Sequence, residues 1–137
     1  MAQRAKKHRQ SARNQKRKSA VPKLRGRLWV EIAGSAALTE AGADLLEQIA
    51  ACGSLSEAAR RLRYSYRRAW LLIDAMNRSW PTPLVVTVTG GKRGGGTRLT
   101  DRGRNVLSAY RDLQLQLEHL LDHASGTFLA ASGFEWR

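Results

Sequence analysis

Residues 89–100 read TGGKRGGGTRLT, with Gly90, Gly91, Gly94, Gly95 and Gly96 around Lys92 and Arg93. Bare backbone beside positive charge is the chemistry of a phosphate cradle, because exposed N–H groups and cationic side chains both attract anionic oxygens. A Walker-type nucleotide loop places a lysine, then Ser or Thr, directly after its second glycine. Gly90 and Gly95 have the required separation, but Gly96 and Thr97 follow them, and Lys92 sits near the front. A dinucleotide fingerprint must open a helix, whereas this stretch runs into Arg98 and Leu99. The nucleotide reading is weak, and the neighbouring residues decide what the loop meets.

Before the loop lies GSLSEAARRLRYSYRRAWLLIDAMNRSW, residues 53–80. Ser54 with Glu57 three residues on is a capping box, and Ala58, Ala59 and Leu62 give a short helix with a small-residue face. Ser65 caps a second helix through about Trp80. Two helices joined by about three residues make a helix-turn-helix. At roughly 100° per residue, Ala69, Leu72, Ile73, Met76 and Trp80 share the core side of the second helix. Arg67, Leu71, Asp74 and Arg78 fall opposite, with Tyr66 and Trp70 on one flank and Arg68 on the other.

A solvated face is the plain reading of that stripe, but a leucine amid arginines is odd for solvent. In a DNA major groove Arg67 would bridge guanine O6 and N7, and Leu71 would meet a thymine methyl. Asp74 would accept from a cytosine amine, or else pair with Arg78 one turn on. Trp70 is expected to pack rather than to read bases. The helix start at Ser54 offers backbone N–H groups and the Ser54 and Ser56 hydroxyls to a phosphate. Ser65, Tyr66 and Arg68, with Lys92 and Arg93, complete the candidate DNA contacts.

The surrounding elements must hold these residues. RLWVEIA (27–33) alternates Leu28, Val30 and Ile32 with Trp29 and Glu31, which predicts a half-buried strand broken by Gly34. Thr39 caps a helix through about Cys52, with Leu45, Leu46 and Ile49 on one face and Gly53 as terminator. Pro81 and Pro83 end the helix that Ser65 starts. LVVTVT (84–89) reads as a strand with TRL (97–99) as its returning partner. The glycine loop then tips a hairpin directly after a helix-turn-helix, which is the position of a wing. Its glycines permit a tight tip, and Lys92 and Arg93 reach the DNA backbone or minor groove.

Thr100 caps a last helix from Asp101 to about His123. Val106, Tyr110, Leu113, Leu117 and Leu120 follow a heptad seam, which either packs on its own domain or meets a partner helix in a dimer. Residues 124–137 have no clear period and read as a tail whose Phe128, Phe134 and Trp136 cover a subunit interface. The predicted fold is mainly α with a small β-hairpin wing: a winged helix-turn-helix over 24–100, then a long C-terminal dimerisation helix over 101–123.

The net charge of +13 is unevenly spread. Residues 1–27 carry eleven basic residues and no acid, whereas 28–137 carry 13 basic and 11 acidic residues. Residues 1–23 therefore read as a disordered basic arm, either a solubilising tail or an arm that tracks phosphates. No apolar run approaches the roughly 18 residues of a membrane span, and no hydrophobic stretch follows the basic start as in a signal peptide. Cys52 is the single cysteine, which fits a reducing cytoplasm. His119 and His123 stand four apart beside Glu118 and Asp122, but two helical ligands without a third make no metal site. No carboxylate pair or activated nucleophile stands out, so no enzyme, metal or cofactor is expected.

GSLSEAA (53–59), SYRRAW (65–70), MN (76–77), TGGKRGGG (89–96) and LTDRG (99–103) together resemble the DNA-binding half of the molybdate-responsive ModE regulators. That half is itself similar to the winged helix-turn-helix of LysR-type regulators. The resemblance covers roughly 28 to 121. Arg63 departs from it, standing in a turn where the family often has glycine. SARNQ (11–15) matches a short signature of the family's molybdate modules, but its flanks RQ and KRKS do not supply their strands. With only residues 124–137 after the expected last helix, those modules are not expected here. The resemblance implies a cytoplasmic, sequence-specific transcriptional regulator without its own effector domain, binding double-stranded DNA as a homodimer, with any effector protein a separate partner. The other readings are a non-specific nucleoid- or RNA-binding basic protein and, less favoured, a molybdate-binding protein.

Overall fold

The computed structural model describes residues 9–10, 22–89 and 96–133, which fall into two compact units, Arg27–Leu117 and Met1–Gly26 with Glu118–Arg137. In the first unit, β1 (Val30–Ile32) and β2 (Ser35–Leu38) form an antiparallel hairpin with Val30 opposite Leu38 and Ile32 opposite Ser35. The sequence predicts only the first of these strands. Gly34 does more than end it: Ala33 and Gly34, at φ 51° and 81°, form a two-residue reversal whose twist suits a hairpin. The usual sign of that turn, Asn-Gly, is missing. Its result is to bring Ala37 and Leu38 into the core.

Helix α1 spans Glu40–Cys52, between the expected caps. Thr39 Oγ1 accepts from the Gly42 N–H at 3.2 Å, and Gly53, at φ 68°, donates its N–H to the Ile49 carbonyl at 2.8 Å. Helices α2 (Leu55–Leu62) and α3 (Tyr66–Ser79) follow as predicted. Then β3 (Val85–Val88) pairs antiparallel with β4 (Gly96–Leu99), from Val85 opposite Leu99 to Val88 opposite Gly96. Helix α4 runs from Asp101 to Ser132. The unit is a winged helix-turn-helix. Leu38, Leu45, Leu46, Ile49, Leu84 and Tyr110 are its largest fully buried side chains.

A polar frame joins α3, β3 and the start of α4. Asn77 Oδ1 accepts from the N–H groups of Leu84 and Val85 at 2.9 and 3.2 Å, while its Nδ2 donates to the Val85 carbonyl at 3.0 Å. The chain leaving α3 past two prolines is thus hydrogen-bonded back to the helix. Thr100 donates its hydroxyl to the Pro83 carbonyl at 2.7 Å and accepts from the Gly103 N–H at 3.0 Å, capping α4. Gly103 lies so close to Leu84 that an added Cβ would sit 2.1 Å from its carbonyl oxygen. The Leu-Thr-x-x-Gly motif therefore has a steric cause.

Tyr110 corrects the seam reading. It is 2% exposed and donates its hydroxyl to the Leu28 carbonyl at 2.7 Å, so it belongs to the core of its own unit. Burial, with the negative charges of Glu40 and Asp44, raises its phenol above the ordinary tyrosine range, which keeps the donor protonated. Val106 is half-buried against the same core, while Leu113 is exposed and Leu117 half-buried. Beside them Arg111 donates to Asp44 at 2.8 Å and to Glu47 at 3.3 Å, tying α4 to α1. Burial works against its charged form, but these two carboxylates outweigh burial and raise the guanidinium's pKa.

In the second unit the expected end of the last helix near His123 is also corrected. The helix continues to Ser132 and stops before Gly133, at φ 62°. Gly126, which costs about 1 kcal/mol inside a helix, hides this continuation from sequence reading. Lys23 pairs with Asp122 at 3.3 Å, and the Leu24 N–H donates to Ser125 Oγ at 2.9 Å. Leu120 and Phe128 are exposed. Phe134 and Trp136, and residues 11–15 with the SARNQ motif, lie outside the described residues, as does the arm apart from 9–10 and 22–23. No helix among the described residues is long and apolar enough to cross a membrane.

Candidate nucleic-acid interface

Helix α3 is held from both ends and from beneath. Ser65 Oγ accepts from the Arg68 N–H at 3.1 Å, closing the first turn. The far end is held by Asn77 and by Trp80, whose indole N–H donates to the Ala37 carbonyl at 3.0 Å. Ala69 and Met76 are its buried residues, and Gly42 of α1 leaves room for Met76, since a Cβ there would approach the sulfur to 3.0 Å. This core side is the predicted one.

The turn before α3 is tight. Tyr64 donates its N–H to the Ala59 carbonyl at 2.9 Å and Arg63 to the Arg60 carbonyl at 3.1 Å, the paired bonds of a Schellman ending. Arg63 occupies the left-handed position at φ 58°, ψ 32°, where glycine is the unstrained choice. Arginine there trades backbone strain for an exposed cation at the mouth of the turn.

The outward side of α3 carries Tyr66 at 59% exposure, Trp70 at 51% and Leu71 at 46%, with Arg67 exposed among them. Arg67 makes no ion pair among the described residues. Asp74 is paired with Arg78, which favours the second of its two sequence-level roles. Arg68 stacks its guanidinium 4.1 Å from the centre of the Tyr64 ring. Trp70 stands on the flank where the helical wheel puts it, but is more exposed than the packing role expected of it implies. About half of it is exposed, in keeping with its position on the wheel about 60° from Arg67.

At the start of α2, Ser54 Oγ accepts from the Glu57 N–H at 3.2 Å, so half of the predicted capping box forms. The Glu57 carboxylate turns instead to Arg60, at 2.6 and 2.9 Å, and to Arg61 at 3.3 Å. Hydrogen bonds and charge from Arg60, then from Arg61, hold its pKa down to about 2. Both acids between residues 54 and 80, Glu57 and Asp74, are thus bound to arginines, against six arginines in the same stretch. The helix-turn-helix surface is net positive.

The wing stem meets the same region. The Thr97 N–H donates to the Gly53 carbonyl at 3.0 Å, joining β4 to the α1–α2 turn beside Ser54. Gly96 is required by this approach, because its Cβ would sit 2.8 Å from that carbonyl oxygen. Arg98, exposed on β4 opposite exposed Val86, is a stem cation that sequence reading did not single out. Lys92 and Arg93 lie outside the described residues. No group of three His, Cys, Asp or Glu among the described residues is arranged to hold a metal ion.

Residues 44–104 match the lysR family of bacterial regulatory helix-turn-helix proteins. The chain is 46% identical over 89 residues, 65% of its length, to the molybdenum transport protein ModE of Azotobacter vinelandii, covering 33% of that protein. It is 44% identical over 75 residues, 55% of its length, to the transcriptional regulator ModE of Haemophilus influenzae, covering 29% of it. Over 75 residues it is 42% identical to the DNA-binding transcriptional dual regulator ModE of Escherichia coli K12, 55% of this chain and 28% of that one. The chain thus spans about a third of the length of these relatives.

Proposed function

We propose that this chain, whose helix-turn-helix matches the LysR type and the ModE regulators, is a sequence-specific, DNA-binding transcriptional regulator acting as a homodimer. The observation that carries the reading is the outward face of α3, where Arg67, in no ion pair among the described residues, stands among exposed Tyr66, Trp70 and Leu71 on a net positive surface. Helix α3 enters the major groove, with Arg67 on a guanine. Ser54, Ser56, Ser65 and Arg68 meet the flanking phosphates. The wing, with Lys92 and Arg93 at its tip, lies on the backbone or minor groove, and the basic arm adds phosphate contacts that do not depend on sequence.

Dimerisation uses the exposed part of the seam. With Tyr110 in the core, Leu113, Leu117 and Leu120 are its remaining leucines, and Leu113 borders a groove of about 620 Å³ lined also by Val30, Leu38, Trp80 and Val106. A two-fold dimer sets its two recognition helices a whole number of helical turns apart, so the operator is palindromic. Its surroundings are then those of the chromosome, in the cytoplasm.

The rival reading is sequence-blind binding driven by the arm. Affinity for a site recovered from a random pool, measured against bulk DNA at one salt concentration, separates the two. A specificity ratio of about 10³ or more is expected of a regulator, and a ratio near one overturns the proposal. Sedimentation of the Leu113→Glu, Leu117→Glu variant should show a monomer where the unaltered chain is dimeric. An unaltered chain that sediments as a monomer at micromolar concentration removes the dimer.

A further inference from the structure

We propose that Tyr66, Trp70 and Leu71 form an apolar reading surface for thymine methyl groups, so that the preferred site carries thymines opposite the first two turns of α3. The inference rests on the DNA reading above; it goes beyond it by naming the base feature recognised and by adding Trp70 and Tyr66 to the readers.

Three large apolar side chains, each about half exposed, stand within six consecutive residues of one helix. Packing gives no reason for them, because the core side of α3 is already occupied by Ala69 and Met76. Tyr66 and Trp70 are one turn apart, and so are Arg67 and Leu71, so the four make two adjoining rows on one face. Clustered exposed apolar surface of this kind marks a contact surface.

Charge narrows the partner. Arg67 is inside the patch, exposed Arg63 precedes it, and the acid nearest in sequence, Asp74, is bound to Arg78. The partner must therefore be anionic overall and yet offer apolar groups at the depth of the helix face. The major groove of DNA does both, with phosphates along its rims and the C5-methyl of each thymine on its floor. Duplex RNA meets only the first: its phosphates are anionic, but its major groove is too deep and narrow for side chains to read, and uracil has no methyl.

The test uses the full chain and a duplex that it recovers from a random pool. Each thymine is replaced in turn by deoxyuridine, which deletes the methyl and leaves the pairing edge intact, and affinity is read by fluorescence anisotropy at one salt concentration. Removing a buried methyl should weaken binding about fourfold at each contacted position. Trp70→Ala should abolish that loss at one position and leave it at the others, with Leu71→Ala and Tyr66→Ala doing the same elsewhere. All three side chains are exposed, and circular dichroism of each variant checks that the fold is kept. Equal affinity for thymine and deoxyuridine duplexes overturns the inference while leaving specific DNA binding intact. So does a deoxyuridine effect that persists in all three variants, since it then belongs to the DNA itself. A pool that yields no preferred sequence overturns the DNA reading together with it.

Discussion

The polar frame around residues 83–85 and the outward face of α3 are parts of the same small unit with opposite character. In the frame, Asn77 and Thr100 each serve several backbone groups, and Gly103 meets Leu84 with no space to spare. On the face, Arg67 is unpaired among the described residues and three large apolar side chains stand in solvent. Among the described residues no buried side-chain nitrogen or oxygen lacks a partner. The frame therefore answers for stability and, on the function proposed above, the face for binding. Changes to the first should move melting temperature, and changes to the second should move affinity alone.

The largest effect is expected at Gly103. Its replacement by alanine drives a Cβ into the Leu84 backbone, which no side-chain rotation relieves. Loss of about 4 kcal/mol or more, read by urea unfolding, is expected. A loss below about 1 kcal/mol would mean that α4 can slide away from β3, and the frame would not be rigid. Asn77→Ala comes next. It strips partners from two N–H groups and a carbonyl, at a cost of about 2–3 kcal/mol, with the ratio of specific to bulk DNA affinity unchanged in the protein that remains folded.

Arg67→Ala is the corresponding change on the face. It should cost about 1–3 kcal/mol in affinity for the preferred site and much less for random DNA, with unfolding shifted by less than about 0.5 kcal/mol. Equal losses on both DNAs would make Arg67 a phosphate contact. Arg63→Gly crosses the boundary between the two regions. Relief of the left-handed strain should stabilise the fold by about 0.5–1 kcal/mol after the added unfolded-state freedom of glycine, while affinity for all DNA falls slightly with the lost cation. Improved stability with improved binding would show that this turn is not near DNA.

Glu57 provides the smallest effect. Its pKa is depressed to about 2, so the ion pairs with Arg60 and Arg61 are complete above the ordinary carboxylate value of 4.5 and are lost as pH falls towards 2. The group is fully exposed, so salt screens this contribution strongly. A carbon-detected titration should give a midpoint near 2 at low salt, moving towards 4.5 as salt is added. A midpoint already at 4.5 in low salt would mean that the carboxylate is free to complete the capping box.

The elements were legible wherever their signals are local. Thr39, Gly53, Ser54, Ser65 and Thr100 start or stop helices through bonds to groups three or four residues away, so the chain declares those boundaries by itself. The core side of α3 and the position of the wing strands follow from the same short-range periodicity. The resemblance carried by the Gly-rich loop and Leu-Thr-x-x-Gly likewise rests on short motifs, and the match over residues 44–104 agrees with it. In the candidate interface, Arg67 and Leu71 were readable as outward residues and Trp70 as a flank residue, but the degree of its exposure was not readable. A tryptophan on a helix flank faces core or solvent according to what lies beside the helix, and that neighbour comes from elsewhere in the chain.

What only the tertiary structure decided has this same long-range cause. A stripe at positions 106, 110, 113, 117 and 120 has one period whether it meets a partner helix or its own domain. Tyr110 is drawn to its own core by a carbonyl at Leu28, 82 residues earlier. Gly96 and Gly103 look like loop and helix glycines, yet each is required by a backbone carbonyl, of Gly53 and Leu84 respectively, that approaches from another element. The sequence by itself determines where the chain turns and which elements it forms, because those choices are made within a few residues. Which face of each element is consumed by packing, and which is left exposed, is decided only when distant segments meet.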